Sequence, residues 1–175
     1  MLVNIRKALS SDLEKIAALY SHIHDEQDKG TLYTGWVRNV YPTIKTAETA
    51  LQRGDLFVEE ANGNIVGAAI INNVQVDVYK NAAWKKTYPD EQILVLHTLV
   101  IDPYAKGKGF GKQFVNFYEQ YAAEHGCKEL RLDTNELNTN ARKFYQKLGY
   151  SEIGTAACEF NGIKGVKLVL LEKSL

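Results

Sequence analysis

The sequence predicts one domain over residues 1–175, of mixed α/β (α+β) class, with a mostly antiparallel sheet of about seven strands flanked by about four helices. Asn-Gly dipeptides at 62–63 and 161–162 each separate two apolar runs, which is the pattern of a tight antiparallel hairpin. Between Ile93 and Thr134 the chain reads as strand, loop, helix and strand, and the two strands of such a unit run parallel through a right-handed crossover.

The individual elements follow from periodicity and from start and stop signals. Ser11 and Glu14 have the spacing of a capping box and predict the start of the first helix. A second helix is expected between Pro42 and Gly54, a third after the glycines at 107–111, and a fourth that ends at Gly149. Strands are expected at Val3–Arg6, Leu56–Glu59, Ile65–Ile71, Ile93–Ile101, Leu130–Thr134, Ser151–Ile153, Ala157–Phe160 and Val166–Leu171.

Composition excludes several classes of function. The 21 basic and 21 acidic residues cancel, so the chain has no overall field that would attract nucleic acid or an anionic membrane. Cys127 and Cys158 do not have the spacing of metal ligands, and the N-terminus does not read as a signal peptide. We therefore expect a cytoplasmic protein with reduced cysteines, no metal, and no membrane or nucleic-acid partner.

A glycine-rich turn follows the most apolar strand of the chain. The strand Ile93–Ile101 is apolar on both faces apart from His97, which is typical of a strand buried in the middle of a sheet. Asp102 and Pro103 end the strand, and a glycine-rich turn with Gly107, Gly109 and Gly111 then leads directly into a helix. The basic residues Lys106, Lys108 and Lys112 alternate with or adjoin these glycines. Unpaired amides and the positive end of a helix dipole meet there, which predicts a phosphate site.

Two common nucleotide motifs do not fit this turn. A Walker loop needs Ser or Thr after Gly111-Lys112 as a magnesium ligand, and this chain has Gln113. The dinucleotide fingerprint needs a wider glycine spacing than that of Gly107, Gly109 and Gly111. An ATP-binding site of the P-loop kind is therefore a distant alternative.

The turn does resemble the pyrophosphate loop of the GNAT family of N-acetyltransferases, whose pattern is Arg/Gln-x-x-Gly-x-Gly/Ala. Lys106, Gly109 and Gly111 lie on the patterned positions, with Lys in place of Arg or Gln. A second family signature, Asn-x-x-Ala-x-x-x-Tyr-x-x-x-Gly-Phe, is matched in register by Asn138, Ala141, Tyr145 and Gly149, with Tyr150 replacing Phe. The resemblance covers roughly residues 93–153, and over the first ninety residues it rests on the order of elements.

The resemblance implies a GNAT-like acyl-CoA N-acyltransferase fold and a transfer of the acetyl group from acetyl-CoA to a primary amine by direct attack in a ternary complex. It implies that the cofactor arm lies along the central strand and that the Leu99 amide binds the oxyanion. It also makes Tyr145 the acid that protonates the leaving thiolate. The residues expected to contact acetyl-CoA are Leu99, Val100, Ile101, Lys106, Gly107, Lys108, Gly109, Phe110, Gly111, Lys112, Asn138, Ala141 and Tyr145.

The general base is less directly indicated. Family members often use a carboxylate on the central strand, and this chain has Val95 at that position. His97 lies two residues further on the same strand face, and a neutral imidazole with a pKa of about 6.5 is suited to accepting a proton. Glu59, Asp90 and ordered water are the alternatives to His97.

The function stays open between two classes. A catalytically silent acyl-CoA-binding module of the same fold is the alternative to the enzyme, because the strand carboxylate is missing. The acceptor is a small-molecule or peptide amine that the sequence does not identify, and a homodimer is compatible with the sequence. We expect the 73–92 loop to overhang the site, since loops of this length are usually functional or mobile.

Overall fold

Seven strands and four helices make up the computed structural model, which describes residues 3–175. The strands are β1 Val3–Lys7, β2 Leu56–Ala61, β3 Asn64–Asn72, β4 Ile93–Ile101, β5 Glu129–Asn135, β6 Ser151–Phe160 and β7 Ile163–Ser174. The helices are α1 Leu13–Asp28, α2 Ile44–Arg53, α3 Phe110–Glu124 and α4 Thr139–Lys147. Short 3-10 turns lie at Ser10–Asp12, Asp77–Asn81, Asp90–Gln92 and Pro103–Ala105.

The strands form one sheet in the order β1-β2-β3-β4-β5-β7-β6. β1 pairs with β2, β2 with β3, β5 with β7 and β6 with β7, all antiparallel. β4 and β5 are parallel, with a register from Ile93↔Glu129 to Leu96↔Leu132. The predicted fold class, a mixed and mostly antiparallel sheet with one parallel junction and four flanking helices, is confirmed.

Both predicted hairpins are present. Asn62 and Gly63 have φ values of 51° and 82°, and Asn161 and Gly162 have 49° and 81°. Positive φ at both central residues is what a two-residue hairpin turn requires, and Asn-Gly adopts it at low cost. β6 is one strand of ten residues rather than the two short strands predicted, with register shifts at Glu152/Gly154 and Cys158/Phe160. Bulges of this kind let a strand continue through positions that break its apolar alternation.

The chain divides into two compact units. The first unit comprises the described part of Met1–Leu32 together with Trp36–Ile71 and His97–Tyr118. The second comprises Tyr33–Gly35, Asn72–Leu96 and Glu119–Leu175. Each unit has its own buried apolar cluster.

In the first unit, α1 and α2 pack against strand residues. The helical spacing of α1 buries Ile16, Leu19, Tyr20 and Ile23, and α2 contributes Ala47 and Ala50. Gly54, with φ of 76°, ends α2 at the predicted position. Two acids in the last turns of α1 have a structural partner, because the Arg38 guanidinium lies 2.8 Å from Asp25 and 2.7 Å from Asp28.

The predicted capping box of Ser11 and Glu14 is wrong. α1 begins at Leu13, directly after the 3-10 turn Ser10–Asp12, and the Asp12 carboxylate caps that turn. Asp12 accepts a hydrogen bond from the Leu9 amide at 2.8 Å and one from the Arg6 guanidinium at 2.7 Å. These bonds, that of Arg6 first, lower the pKa of the Asp12 carboxyl. The ion pair therefore joins β1 to the turn before α1.

In the second unit, the 73–92 loop packs on the sheet through its aromatic residues. Tyr79 is 2% exposed, and Trp84 and Tyr88 pack against the same cluster. The indole N–H of Trp84 donates to the Tyr79 carbonyl at 2.8 Å, and the two rings meet edge to face. The cluster also contains Ile93, Val95, Val166, Leu168 and Leu170. The loop is thus part of the core of this unit.

Cys127 and Cys158 are both free thiols. Within residues 3–175, no helix is both long enough and apolar enough to cross a bilayer.

Glu59 of β2 is a fully buried carboxyl group, at 0% exposure. Among the described residues neither of its side-chain oxygens has a hydrogen-bond partner. It lies opposite Gly67 of β3, where an added Cβ would come within 3.2 Å of Glu59 Oε2 and 2.8 Å of Ile101 Cδ1. Burial raises the pKa of Glu59 from 4.5 to about 8, so the folded protein holds this carboxyl protonated at neutral pH.

This burial predicts a pH dependence of stability. Because the pKa of Glu59 is raised on folding, the native state binds the extra proton between pH 4.5 and about 8, and its free energy of unfolding falls as pH rises through that window. The slope is about 1.4 kcal/mol per pH unit for one such group. Glu59→Gln should remove this slope, measured by urea unfolding between pH 5 and 8. Glu14→Gln, at an exposed position of α1, is the matched control and should keep it. Equal slopes in wild type and Glu59→Gln would contradict the assignment.

Candidate functional site

The residues singled out from the sequence fall in both units. The glycine-rich turn, His97 and Leu99–Ile101 belong to the first unit, whereas Asn138, Ala141 and Tyr145 belong to the second. Across residues 3–175, no group of three or more His, Cys, Asp or Glu side chains is arranged to hold a metal ion.

The glycine-rich turn has a defined backbone. The Asp102 carboxylate accepts a hydrogen bond from the Tyr104 amide at 3.0 Å, which fixes the 3-10 turn after β4. Gly107 and Gly109 both have φ of 80°, in the left-handed region that residues with a Cβ avoid. A Cβ added at Gly107 would meet nothing within 4 Å. The glycines are therefore required by the backbone conformation, and the space outside them is open.

Positive charge collects at the end of this turn. α3 begins at Phe110, so the amides of its first turn have no partner within the helix, and the amide of Gln113 is bonded to the Gly109 carbonyl at 3.0 Å. Phe110 is 2% exposed and packs with Ala61 and Val66, which holds the helix start in place. The side chains of Lys106, Lys108 and Lys112 are exposed. Unpartnered amides, the positive end of the helix dipole and three exposed lysines are therefore collected at this turn.

The side chains of β4 change from buried to partly exposed halfway along the strand. Ile93–Leu96 are buried, as predicted, but His97, Thr98 and Leu99 are partly exposed, so the prediction of a strand buried throughout is wrong there. Thr98 has φ of 51°, which a β-branched residue rarely adopts, and its hydroxyl is hydrogen-bonded to the Tyr41 hydroxyl. A residue in this conformation interrupts a regular ladder. The parallel register of β4 with β5 runs from Ile93 to Leu96 and so ends before this residue.

The candidate bases differ in their surroundings. Val95 is 0% exposed within an apolar cluster, and His97 is partly exposed. Glu59 is buried and its pKa is raised to about 8, so at neutral pH it already carries a proton and is not free to accept one. Asp90 is exposed in the 3-10 turn before β4. Of the three titratable candidates, His97 alone combines partial exposure with a position on β4.

Tyr145 lies on the buried face of α4. It is 8% exposed and meets Phe144 and Tyr150 edge to face, with ring centroids 5.1 and 5.7 Å apart. Burial, and then the nearby Asp133 carboxylate, raise the pKa of the Tyr145 phenol above its ordinary value. The phenol therefore keeps its proton throughout the neutral range, as an acid must.

Asn138 has a structural task at the start of α4. Its side-chain oxygen accepts a hydrogen bond from the Ala141 amide at 3.1 Å, which makes it the N-cap. Arg142, one residue further, donates to both oxygens of Glu152 at 2.8 Å. These bonds fix the helix that carries Tyr145.

Asp133, near the end of β5, is a candidate that sequence reasoning missed. Its carboxylate accepts a hydrogen bond from the Tyr79 hydroxyl at 2.7 Å. Burial raises the pKa of Asp133 to about 6, against the lowering effect of that bond. It belongs to neither motif, and the available signal was an acid that follows the buried run Leu130–Leu132.

The chain is similar to known acetyltransferases. The model of the acetyltransferase (GNAT) family matches residues 16–150. The uncharacterized N-acetyltransferase YhfO of Bacillus subtilis is 25% identical over 150 residues, which are 86% of this chain and 91% of that protein.

Solved structures show the same fold. The crystal structure of an N-acetyltransferase from Staphylococcus aureus Mu50 superposes with a TM-score of 0.72 at 22% identity, covering 99% of both chains. The structure of yncA from Salmonella typhimurium, with its cofactor acetyl-CoA, has a TM-score of 0.69 at 15% identity and covers 99% of this chain and 94% of that one. Since the family model matches most of the chain, we conclude that this protein belongs to the GNAT family of acetyltransferases.

Proposed function

We propose that this chain is an N-acetyltransferase, forming one functional domain over residues 1–175, that moves the acetyl group of acetyl-CoA to a primary amine by direct attack in a ternary complex. The observation that carries the proposal is the backbone of the glycine-rich turn, with Gly107 and Gly109 in the left-handed region directly before α3. Family membership supports it, and the related yncA structure was solved with acetyl-CoA.

The turn suits the pyrophosphate of acetyl-CoA. The backbone amides of residues 106–112 can donate to phosphate oxygens, because a glycine conformation and a helix start leave them outward and unshielded. Lys106, Lys108 and Lys112 add charge without blocking approach, since all three are exposed. In this proposal the Lys that replaces Arg or Gln at position 106 is sufficient, because the amides provide most of the contact.

The open half of β4 suits the pantetheine arm. An extended chain with amide groups can pair with an incompletely paired strand as an added strand would, and Leu99, Val100 and Ile101 are the residues we assign to it. Leu99 is partly exposed beside the irregular Thr98. We assign its amide as the donor to the carbonyl oxygen that gains negative charge during attack.

Two side chains carry the proton transfers. Acetyl-CoA supplies an acetyl thioester, whose C–S bond breaks as the amine nitrogen bonds to the carbonyl carbon. His97 accepts a proton from the amine, because an alkylammonium with a pKa of about 10 is unreactive. Tyr145 donates its phenolic proton to the departing sulfur. The phenol still carries that proton at working pH, because burial raises its pKa. Asn138 and Ala141 hold the start of the helix that carries Tyr145 and complete the assigned contacts.

The direct test is turnover with a panel of amines. Incubated with acetyl-CoA and small amines, amino acids, aminoglycosides and peptides, the protein should release free thiol with at least one acceptor, followed with a thiol reagent. Binding of acetyl-CoA without release on any acceptor would favour a silent acyl-CoA-binding module. Tighter binding of ATP than of acetyl-CoA would overturn the proposal.

Tyr145→Phe should lower turnover by roughly a hundredfold, the low end for acid-base catalysis, with little change in acetyl-CoA binding. The substitution keeps the ring contacts to Phe144 and Tyr150 and removes only the hydroxyl. Turnover at saturating substrates and calorimetric titration with acetyl-CoA measure the two effects. Tyr88→Phe, in the 73–92 loop, is the matched control and should keep wild-type turnover. Wild-type turnover in Tyr145→Phe would refute the acid assignment.

His97→Gln should remove an acidic limb at about pH 6 to 7 from the pH profile of kcat/KM, the range in which imidazole ordinarily titrates. The fold should persist, because the residue is partly exposed. The profile must be measured with two acceptors of different pKa, since only a limb that stays at the same pH belongs to the enzyme. His125→Gln, at an exposed position after α3, serves as the control. A profile unchanged by His97→Gln would contradict the assignment of His97 as the base and leave ordered water as the candidate.

A further inference from the structure

The irregular backbone of β4 is bounded on both sides of Thr98. Before this residue, β4 is in register with β5 from Ile93 to Leu96. After it, the Asp102 amide donates a hydrogen bond to the Val66 carbonyl of β3 at 2.8 Å. Regular pairing before Thr98 and a backbone hydrogen bond after it mean that the φ of 51° at this residue has to be held locally.

The conformation of Thr98 sets the direction of the Leu99 amide. A residue in an extended strand has a φ of about −120° to −140°, whereas Thr98 has a φ of 51°. The planar peptide group between the two residues turns with this dihedral angle, and it carries the Leu99 N–H. In the proposed reaction that N–H has to lie about 3 Å from the oxygen that gains negative charge. The left-handed Thr98 therefore fixes where this donor points.

A threonine needs help from its neighbours to keep this conformation. A β-branched residue with positive φ is a steric outlier, and it persists where surrounding contacts enforce it. The Thr98 hydroxyl is hydrogen-bonded to the Tyr41 hydroxyl. Because the rotamer that a side chain can adopt depends on φ and ψ, a bond that fixes the hydroxyl also favours one backbone conformation.

Tyr41 is in turn held against helix α1. The Trp36 carbonyl accepts a hydrogen bond from the Gln27 side-chain amide at 2.7 Å, and the Trp36 and Tyr41 rings meet edge to face with centroids 5.8 Å apart. The Tyr41 amide donates to the Val37 carbonyl at 3.0 Å, which closes a turn, and Arg38 in that turn is bonded to two aspartates of α1. All of these residues belong to the first unit. The Tyr41 hydroxyl is thus a fixed point for Thr98.

We propose that Tyr41 is a positioning residue for acetyl transfer, because its hydroxyl holds Thr98 in the left-handed conformation and so directs the Leu99 amide at the oxyanion. This inference rests on the proposed acetyl transfer. Tyr41, Thr98 and Leu99 lie in the same unit. In this role Tyr41 transfers no proton, and its effect passes through the backbone of Thr98. Loss of its hydroxyl therefore slows the chemical step, and binding at the glycine-rich turn, which the bond between Asp102 and the Tyr104 amide fixes, is retained.

The first test measures the backbone of Thr98 without any turnover. Tyr41→Phe keeps the ring contact with Trp36 and removes only the hydroxyl. In NMR spectra of the full chain, the scalar coupling between the amide and α protons of Thr98 reports its φ, and the amide shifts of Leu99 report the surroundings of that N–H. Both should change in Tyr41→Phe and stay at the wild-type values in the control Tyr33→Phe, an exposed tyrosine of the same connection between α1 and α2. An unchanged Thr98 coupling in Tyr41→Phe overturns the inference.

The second test measures kinetics in two variants that both lack the Thr98 hydroxyl. Thr98→Val keeps the steric penalty of a positive φ, whereas glycine adopts this conformation freely. Tyr41→Phe and Thr98→Val should each lower kcat roughly 5- to 30-fold, and KM for acetyl-CoA should stay within about twofold of wild type. The double variant should fall no further, because both changes remove one interaction. Thr98→Gly should exceed Thr98→Val in kcat by roughly threefold or more.

The outcomes separate this inference from the proposed function. Additive effects of Tyr41→Phe and Thr98→Val, equal kcat in Thr98→Gly and Thr98→Val, or a change confined to KM each overturn the positioning role. If thiol is released with some amine while Tyr41→Phe keeps the wild-type kcat, the positioning role fails and the acetyltransferase proposal stands. If no amine releases thiol, the acetyltransferase proposal fails, and the NMR coupling still decides whether Tyr41 holds Thr98.

Discussion

The conformation of the central strand β4 depends on the backbone of one residue. Thr98 holds φ of 51° inside β4, where a threonine would ordinarily be extended. The side chains of Ile93–Leu96 are buried, and those of His97, Thr98 and Leu99 are partly exposed. The Tyr41 hydroxyl, bonded to the Thr98 hydroxyl, contributes to holding this conformation. Strain of this kind persists where surrounding contacts enforce it, and the parallel register of β4 with β5, which runs from Ile93 to Leu96, ends before Thr98.

The glycine-rich turn depends on the same strand for its position. β4 ends at Ile101, Asp102 fixes the following 3-10 turn, and two left-handed glycines bring the chain to the start of α3. Phe110, buried with Ala61 and Val66, fixes the helix at this point. The partly exposed end of β4 and the glycine-rich turn are thus adjacent along the chain, within one compact unit. A ligand with a phosphate at one end and an amide-bearing arm fits that adjacency better than a free phosphate does.

The sequence predicted the elements whose signals are local. Asn62-Gly63 and Asn161-Gly162 require their turns, and Gly107 and Gly109 require theirs, so the two hairpins and the glycine-rich turn before α3 could be predicted from the sequence. The Asp12 cap was not, because its Arg6 partner comes from a neighbouring strand rather than from the helix start. The left-handed Thr98 has no local signal at all, since threonine favours strands. Asp133 was missed for a similar reason, because its environment comes from a tyrosine 54 residues away.

Glu59 and Asp133 show how burial alone does not determine the role of a carboxyl group. Both lie on strands and both have a raised pKa, to about 8 and about 6. Glu59 has no hydrogen-bond partner among the described residues and is closed off from solvent, so protonation is the state that costs least. Asp133 accepts a hydrogen bond from the Tyr79 hydroxyl, which favours its charged form, so a pKa of about 6 leaves it ionised at pH 7. A hydroxyl donor therefore separates a carboxyl group that is neutral at pH 7 from one that keeps its charge.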